Sequence, residues 1–383
     1  MVFEPREKSA RRAFGVRVSF LRTVAVQGLK LLAATGVVLY LWARGDIAWE
    51  PLRASLGRWE HSLPAFLLLA AMPLVQFWRW QSLLRANRLH LPHREVFSFL
   101  MVSKFFNMAF PGYISGDILR GFFVSRRASE TEMPPESRGQ LPIPSSEFRI
   151  PASQTETARE PQARVVPPAV AASIVLDRIA GLIPLFALCL LGLLGSLSHP
   201  IPRPVLRSVG ALATLGLLLP MVLFLLTYRR ARPTALLAGL RRWPRLEQFF
   251  SAFYEGAHRY ARNRKLIRQI LAISFLNQGL AIASFVLFGW ALGMQVPVMS
   301  YLMLVPLGLL VTAVPVSPAG LGVGQVAFLA LFHLAGTSQG ANLFTLYMAS
   351  YVVINLAGAL LYLFPLPAAA QAEATGLAKI QPE

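Results

Sequence analysis

The chain is poor in acid and almost without cysteine: its 383 residues include 18 Asp and Glu, one Cys and six His. The lone thiol, Cys189, excludes an internal disulfide framework and a cysteine-based metal site. The histidines lack metal spacing and no GxxxxGK[ST] loop is present, so no cofactor, metal or ATP-driven motor is expected. Charged residues make up 14% of the chain, against about a quarter in soluble domains, which excludes a single water-soluble domain. Residues 269 to 372 hold no Asp, Glu, Lys or Arg. Charge segregated in this way excludes a nucleic-acid binder, whose basic groups would cover the body.

What is present is apolar. Hydrophobic residues reach 55%, and 37 Lys and Arg give a formal net charge of +19. A bilayer explains both, because hydrocarbon rejects charge while the cytoplasmic headgroup face accepts basic groups. Apolar windows of about 20 residues, enough for a core of about 30 Å, fall at 24–43, 62–80, 169–197, 205–228, 270–292 and 343–364. The first follows six basic residues and precedes no small-residue cleavage site, so it reads as a signal anchor.

Two further apolar stretches are interrupted. Residues 96–125 are broken by Pro111, Gly112 and Gly116, and 300–337 by Pro315, Pro318, Gly320, Gly322 and Gly324, with Ser317 and Gln325 beside them. Each reads as a helix, a break and a second helix returning to the same side. Such backbone is tolerated at membrane depth only inside protein or beside a water-filled cavity.

The expected fold is therefore an all-α polytopic membrane protein with six full spans plus two re-entrant pairs, or eight spans if both broken segments cross. With the N-terminus inside, the inner segments collect 28 of the 37 basic residues and the outer ones 4, as cytoplasmic loops should. Both termini are placed in the cytoplasm. The order span, broken pair, span occurs twice from opposite sides, and AFPGYISG at 109–116 resembles AVPVSPAG at 313–320. An inverted repeat is expected, an arrangement used by transporters.

Outside the membrane body (24–367) lie a basic N-terminus at 1–23 and a tail at 368–383. The Pro-, Ser-, Thr- and Glu-rich segment 128–165 reads as a disordered cytoplasmic insertion. Residues 240–268 carry eight Arg and Lys among Trp243, Phe249, Phe250, Phe253 and Tyr254 and read as a basic amphipathic helix on the inner leaflet. That charge serves either topology or lipid recognition.

Sixteen of the eighteen acids fall in loops or tails by this layout, leaving Asp117 and Asp177 inside apolar segments beside Arg120 and Arg178. A carboxylate at a helix centre costs about 2.5 to 3.5 kcal/mol on insertion scales, so it should face an interior or cavity. Asp117 and Arg120 can share a helix face, whereas adjacent Asp177 and Arg178 point about 100° apart. Arg178 is then available to Asp117 or to an anionic headgroup. The helix N-terminus after Gly112 to Gly116 also suits an anion. Two readings stand: a phosphate-binding site, or ion pairs that tie helices together. Lys30 and Lys104 read as snorkelling anchors. Asn107, Gln325, Ser317 and Asn355 read as interhelical glue, and Phe77, Trp78 and Trp80 as an interfacial belt.

Three motifs carry a family resemblance. FFNMAFPGYISGDILRGFFVSRR contains a Pro/Gly break followed by G-[DE]-x-x-R, SIVLDRIAGL contains a [DE]-R helix, and PVSPAGLGVGQVAFLAL resembles an S-P-x-G-x-G-V break. Over about residues 20 to 365 the chain resembles the lysylphosphatidylglycerol synthase transmembrane-region family, the flippase-like integral membrane proteins. The resemblance implies a bacterial inner-membrane protein that moves, or helps to move, an anionic, phosphate-bearing or aminoacylated lipid between leaflets. It assigns headgroup binding to Asp117, Arg120, Asp177 and Arg178, and the second break to Pro315 through Gly322. The motif's usual acid is Gln325 here, so no proton-coupled scheme through that position is expected. The 128–165 insertion is longer than the family's connection. No aminoacyl-transferase domain follows residue 367, so lipid aminoacylation is not expected. Expected partners are membrane lipids of phospholipid or polyprenyl-phosphate type. The alternative is a non-transporting subunit that feeds lipid to an envelope glycosyltransferase or lipid-modifying enzyme.

Overall fold

A computed structural model of the chain describes residues 28, 32–87, 89–109, 115–132, 168–196, 203–228, 263–314 and 317–363. Every regular element among them is helical: α1 (Leu32–Arg44), α2 (Trp49–Gly57), α3 (Trp59–Ala86), α4 (His93–Ala109), α5 (Ser115–Glu132), α6 (Pro168–Gly195), α7 (Arg203–Tyr228), α8 (Arg264–Ala291), α9 (Val298–Thr312), α10 (Val323–His333) and α11 (Gly340–Leu363). Within these residues α3, α6, α7, α8 and α11 are long and apolar enough to cross a membrane. At 28 residues, α3 reaches about 42 Å. The expected first span, 24–43, is described only in part, as α1.

The broken segments form helix pairs as anticipated. α4 and α5 flank the first break, and α9 and α10 flank a turn of 3-10 helix at Pro318–Gly320. α10, at 11 residues, covers about 16 Å, roughly half a hydrocarbon core.

The two halves pack reciprocally. α3 lies on α8, α6 on α9 and α4 on α11. If α3 and α8 occupy equivalent places, then α6 against α9 and α11 against α4 are the same contact made twice, as a repeated unit demands. A glycine permits each one. A Cβ on Gly192 of α6 would strike the backbone of Met303 in α9, and one on Gly358 of α11 would strike the carbonyl of Met101 in α4. Small residues let backbones approach where lipid tails offer no hydrophobic drive to association.

The main core joins α3, α6, α7, α8, α9, α10 and α11. At its centre Phe285 stacks on Phe328 at 5.0 Å and on Tyr347 at 4.5 Å. A second cluster, with Phe77, Trp80, Val96, Leu100, Val124 and Val170, binds α3, α4, α5 and α6 together beside the first break. Leu63, Leu67, Leu74 and Trp78 run down one exposed face of α3. Their spacing of four, seven and four residues puts them on one stripe, suited to acyl chains.

Two expectations need correction at their edges. Residues 128–132 continue α5 instead of opening a disordered insertion, and 133–165 lie outside the described residues. Residues 264–268 begin α8, with the Asn263 side chain accepting the Leu266 N–H at 3.0 Å, so they belong to a span and not to an interfacial helix. The remainder of that helix (240–262), the basic terminus, the 368–383 tail, Lys30, Pro111, Gly112 and Pro315 also lie outside the described residues.

The glycine contact gives a test. Gly358→Ala is expected to lower the melting midpoint of the detergent-purified protein, at a cost of about 1–3 kcal/mol for forced overpacking. Gly279→Ala, on an exposed part of α8 with nothing within 4 Å of the added atom, is expected to hold or raise it. Equal midpoints for the two variants would show that the α4–α11 approach is not limiting.

Candidate functional site

The four charged residues expected from sequence meet in one place, and a fifth joins them. Arg79 of α3 donates through Nε to Asp177 Oδ1 of α6 at 2.7 Å, and through Nη1 to Ser274 Oγ of α8 at 3.1 Å. Asp177 Oδ2 faces Arg120 Nη1 of α5 at 3.5 Å. Arg120 Nη2 faces Asp117 Oδ1 at 3.5 Å. Asp117 Oδ2 accepts from Arg178 Nε of α6 at 2.8 Å, with Arg178 Nη2 at 2.6 Å. Charge thus alternates along Arg79, Asp177, Arg120, Asp117 and Arg178. The pairing is crossed: Arg178 serves the carboxylate of α5 and Arg120 reaches that of α6, so α5 is fastened to α6 by charge.

Arg120 holds the centre with least support. Only 3% of the residue is exposed. Its guanidinium lies 4.5 Å from the Trp80 ring centroid, a cation–π contact with a fully buried indole. Both of its carboxylate distances exceed the usual N–H···O range of 2.7–3.2 Å. Its Nε and Nη2 have no hydrogen-bond partner among the described residues. Arg178, by contrast, keeps 48% of its side chain exposed.

These groups line a cavity of about 490 Å³, within the range usual for ligand sites. One end is polar, with Arg79, Lys104, Asn107, Asp117, Arg120 and Arg178. The rest is largely apolar, including Leu69, Met72, Leu185, Leu309, Phe344 and Met348. Gln76 bridges its walls: its Oε1 accepts from Lys104 Nζ at 2.9 Å and its Nε2 donates to Asn277 Oδ1 at 3.1 Å. Lys104 Nζ also sits 5.7 Å from the Tyr351 ring centroid.

Residues flanking both breaks, Asn107 and Asp117 at the first and Thr312, Ala313 and Ala319 at the second, line this cavity. Gly116 lies in the first turn of α5, where a Cβ would strike the Ser103 carbonyl of α4. Its N–H donates to Asn107 Oδ1 at 2.9 Å. The amide expected to await an anion is therefore already satisfied, and Asp117 itself occupies the dipole-favoured first turn. At the second break Ala319, Gly320 and Gly322 have φ of 51°, 77° and 78°, a left-handed run that only glycine adopts without strain. Gln325 Oε1 accepts the Gly322 N–H at 2.7 Å and closes the turn. Ala319, Thr312 and Ala313 line the cavity there.

Several sequence readings are overturned by depth. Arg79, near the end of the 62–80 window and not singled out from sequence, is buried because α3 continues to Ala86. Lys104 faces the cavity instead of snorkelling outward. Phe77 and Trp80 are buried, leaving Trp78 as the exposed member of the supposed belt. Of the proposed interhelical glue, Asn107 joins two helices, Gln325 caps its own, Asn355 Nδ2 donates within α11 to the Tyr351 carbonyl, and the Ser317 hydroxyl is buried without a partner among the described residues. The available signal for Arg79 was its spacing from Gln76, a polar pair three residues apart on one face of an apolar helix. Among the described residues no group of three His, Cys, Asp or Glu could hold a metal ion.

Residues 13–134 and 157–366 match the family described as Lysylphosphatidylglycerol synthase TM region, and the chain belongs to it. The match passes over 135–156, inside the segment read as an insertion. No curated protein and no solved structure matches the chain.

Removing one partner from a buried charge chain should cost more than removing one at its rim. Asp177→Asn strips Arg79 and Arg120 of a shared counter-charge and is expected to cost about 3–5 kcal/mol. Arg178→Gln, at the half-exposed end, leaves Asp117 with Arg120 at 3.5 Å and is expected to cost less, about 1–3 kcal/mol. Thermal melting of both variants in detergent checks the ordering.

Proposed function

We propose that this member of the lysylphosphatidylglycerol synthase transmembrane family binds the phosphate-bearing headgroup of an anionic membrane lipid in the charged cavity and carries it between leaflets. The observation behind this reading is the charge of the cavity lining, where Arg79, Lys104, Arg120 and Arg178 outnumber Asp117 and Asp177. Excess positive charge at membrane depth is costly, and an anion bound there removes the cost. The long apolar wall of the same cavity suits an acyl chain or the glycerol region. The headgroup would meet Arg120, Arg178 and Lys104 while the tails stay in the bilayer.

The charge of the wall separates the two kinds of cargo left by family membership. Four basic side chains and two carboxylates line the cavity. That excess favours a phosphate-bearing headgroup over a cationic aminoacylated one, since like charges at low dielectric repel strongly. Both broken helix pairs are taken as re-entrant, with residues flanking each break lining the cavity, so that a packed two-half body could expose the site to each leaflet in turn. The basic distribution supports cytoplasmic termini in a bacterial inner membrane. The reading is of a transporter and not of an enzyme: beside the two carboxylates no Ser or His stands in a nucleophile–base arrangement among the described residues.

Reconstitution into vesicles with labelled anionic phospholipids or polyprenyl phosphates tests it. Wild-type protein is expected to speed leaflet exchange, and Arg120→Lys, which keeps the charge but loses the planar fork, to cut the rate by about tenfold or more. Unaltered folding of the variant is checked by its melting curve. Absence of protein-dependent exchange for every lipid tried, together with stoichiometric co-purification of a lipid-modifying enzyme, would favour the subunit reading instead.

A further inference from the structure

We infer that the cavity is built for a dianionic phosphate, the monoester headgroup of a lipid, in preference to the singly charged phosphodiester of ordinary phospholipids. This rests on the anionic-headgroup reading above and narrows it.

The first argument is charge balance. Arg79, Lys104, Arg120 and Arg178 face two carboxylates, Asp117 and Asp177, so the lining carries two positive charges in excess. The break residues adjoining it in sequence, 110–114 and 315–316, read FPGYI and PV and add no charge at neutral pH. The carboxylates are already committed: Asp177 Oδ1 accepts from Arg79, Asp117 Oδ2 accepts from Arg178, and their other oxygens face Arg120. A net charge left at membrane depth is unfavourable. A dianion neutralises the site, whereas a monoanion leaves one charge over.

The second argument is donor count. Arg120 and Arg178 both bring guanidinium groups to the lining, and Arg120 is held there only by long contacts of 3.5 Å to Asp117 and Asp177. Lys104 has three N–H donors, of which Gln76 takes one. Donors from Lys104, Arg120 and Arg178 on one lining suit a monoester, whose three terminal oxygens are all strong acceptors. A diester offers two such oxygens and carries substituents on both sides, one of which would have to be fitted at the polar end. The third argument is shape. The apolar remainder of the cavity, with Leu69, Met72 and Leu309, accommodates one hydrocarbon arm leaving the phosphate, as a monoester requires.

The test uses the detergent-purified full-length chain at about pH 8, above the second phosphate pKa near 6. Dioleoyl phosphatidic acid, dioleoyl phosphatidylglycerol and dioleoyl phosphatidylcholine share acyl chains, so differences in occupancy by native mass spectrometry report the headgroup. Phosphatidic acid is expected to bind at least about tenfold more tightly than phosphatidylglycerol. Lys104→Gln, which removes one excess charge, is expected to bring the two within about threefold. Equal binding of the two anionic lipids to the wild type overturns the dianion assignment and leaves the anionic-lipid reading standing. Binding of neither above phosphatidylcholine overturns both. Displacement of phosphatidic acid by inorganic phosphate at comparable concentration keeps the dianion and overturns the lipid.

Discussion

Arg120 and the two carboxylates beside it are the constraint on which the rest of the structure depends. A guanidinium with 3% exposure survives at this depth only because Asp117 and Asp177 stand on either side and Trp80 lies against its face. Removing an ion from water costs several kcal/mol even after relaxation. Each carboxylate therefore draws in another arginine, Arg178 for one and Arg79 for the other. The resulting chain joins α3, α5 and α6, and through Ser274 it reaches α8. Helices that meet no hydrophobic drive in lipid are thereby tied in one arrangement.

The same need for internal satisfaction shapes the breaks. Backbone that leaves helical geometry within a membrane must find partners in protein. Asn107 supplies one for Gly116, and Gln325 supplies one for Gly322. A residue that in a related motif would be acidic is used here as a neutral cap, which accepts the backbone N–H without adding charge. The positive φ at Ala319, Gly320 and Gly322 then breaks the helical path between α9 and α10 beside the cavity.

Reciprocal packing places these local devices together. Gly192 and Gly358 allow α6 to seat on α9 and α11 on α4, so each half clasps the broken pair of the other. The cavity is the space left where the two clasps meet. Its polar end comes mostly from the first half, its apolar wall largely from α9 and α11. That asymmetry within a repeated frame is what makes the site amphipathic.

Hydrocarbon's intolerance of charge made the spans, the two breaks and the carboxylates Asp117 and Asp177 readable from residue order, because each depends on composition over a short window. Arg79, Lys104 and Trp80 were misplaced by the same reasoning: hydropathy reports the depth of a window and not the azimuth of a side chain. Whether an arginine at the end of an apolar run turns to headgroups or to a buried aspartate depends on what faces it from other helices. The partners of Arg178 and Arg120 were open for that reason, since adjacent residues on α6 point apart and only the approach of α5 decides which carboxylate each meets. The amino-acid sequence by itself determined a membrane protein with two interrupted helix pairs and two acids that had to be sheltered. Tertiary structure alone decided that Arg79 would join them and that Arg178 would meet Asp117 and Arg120 reach Asp177, because these pairs form between helices brought together.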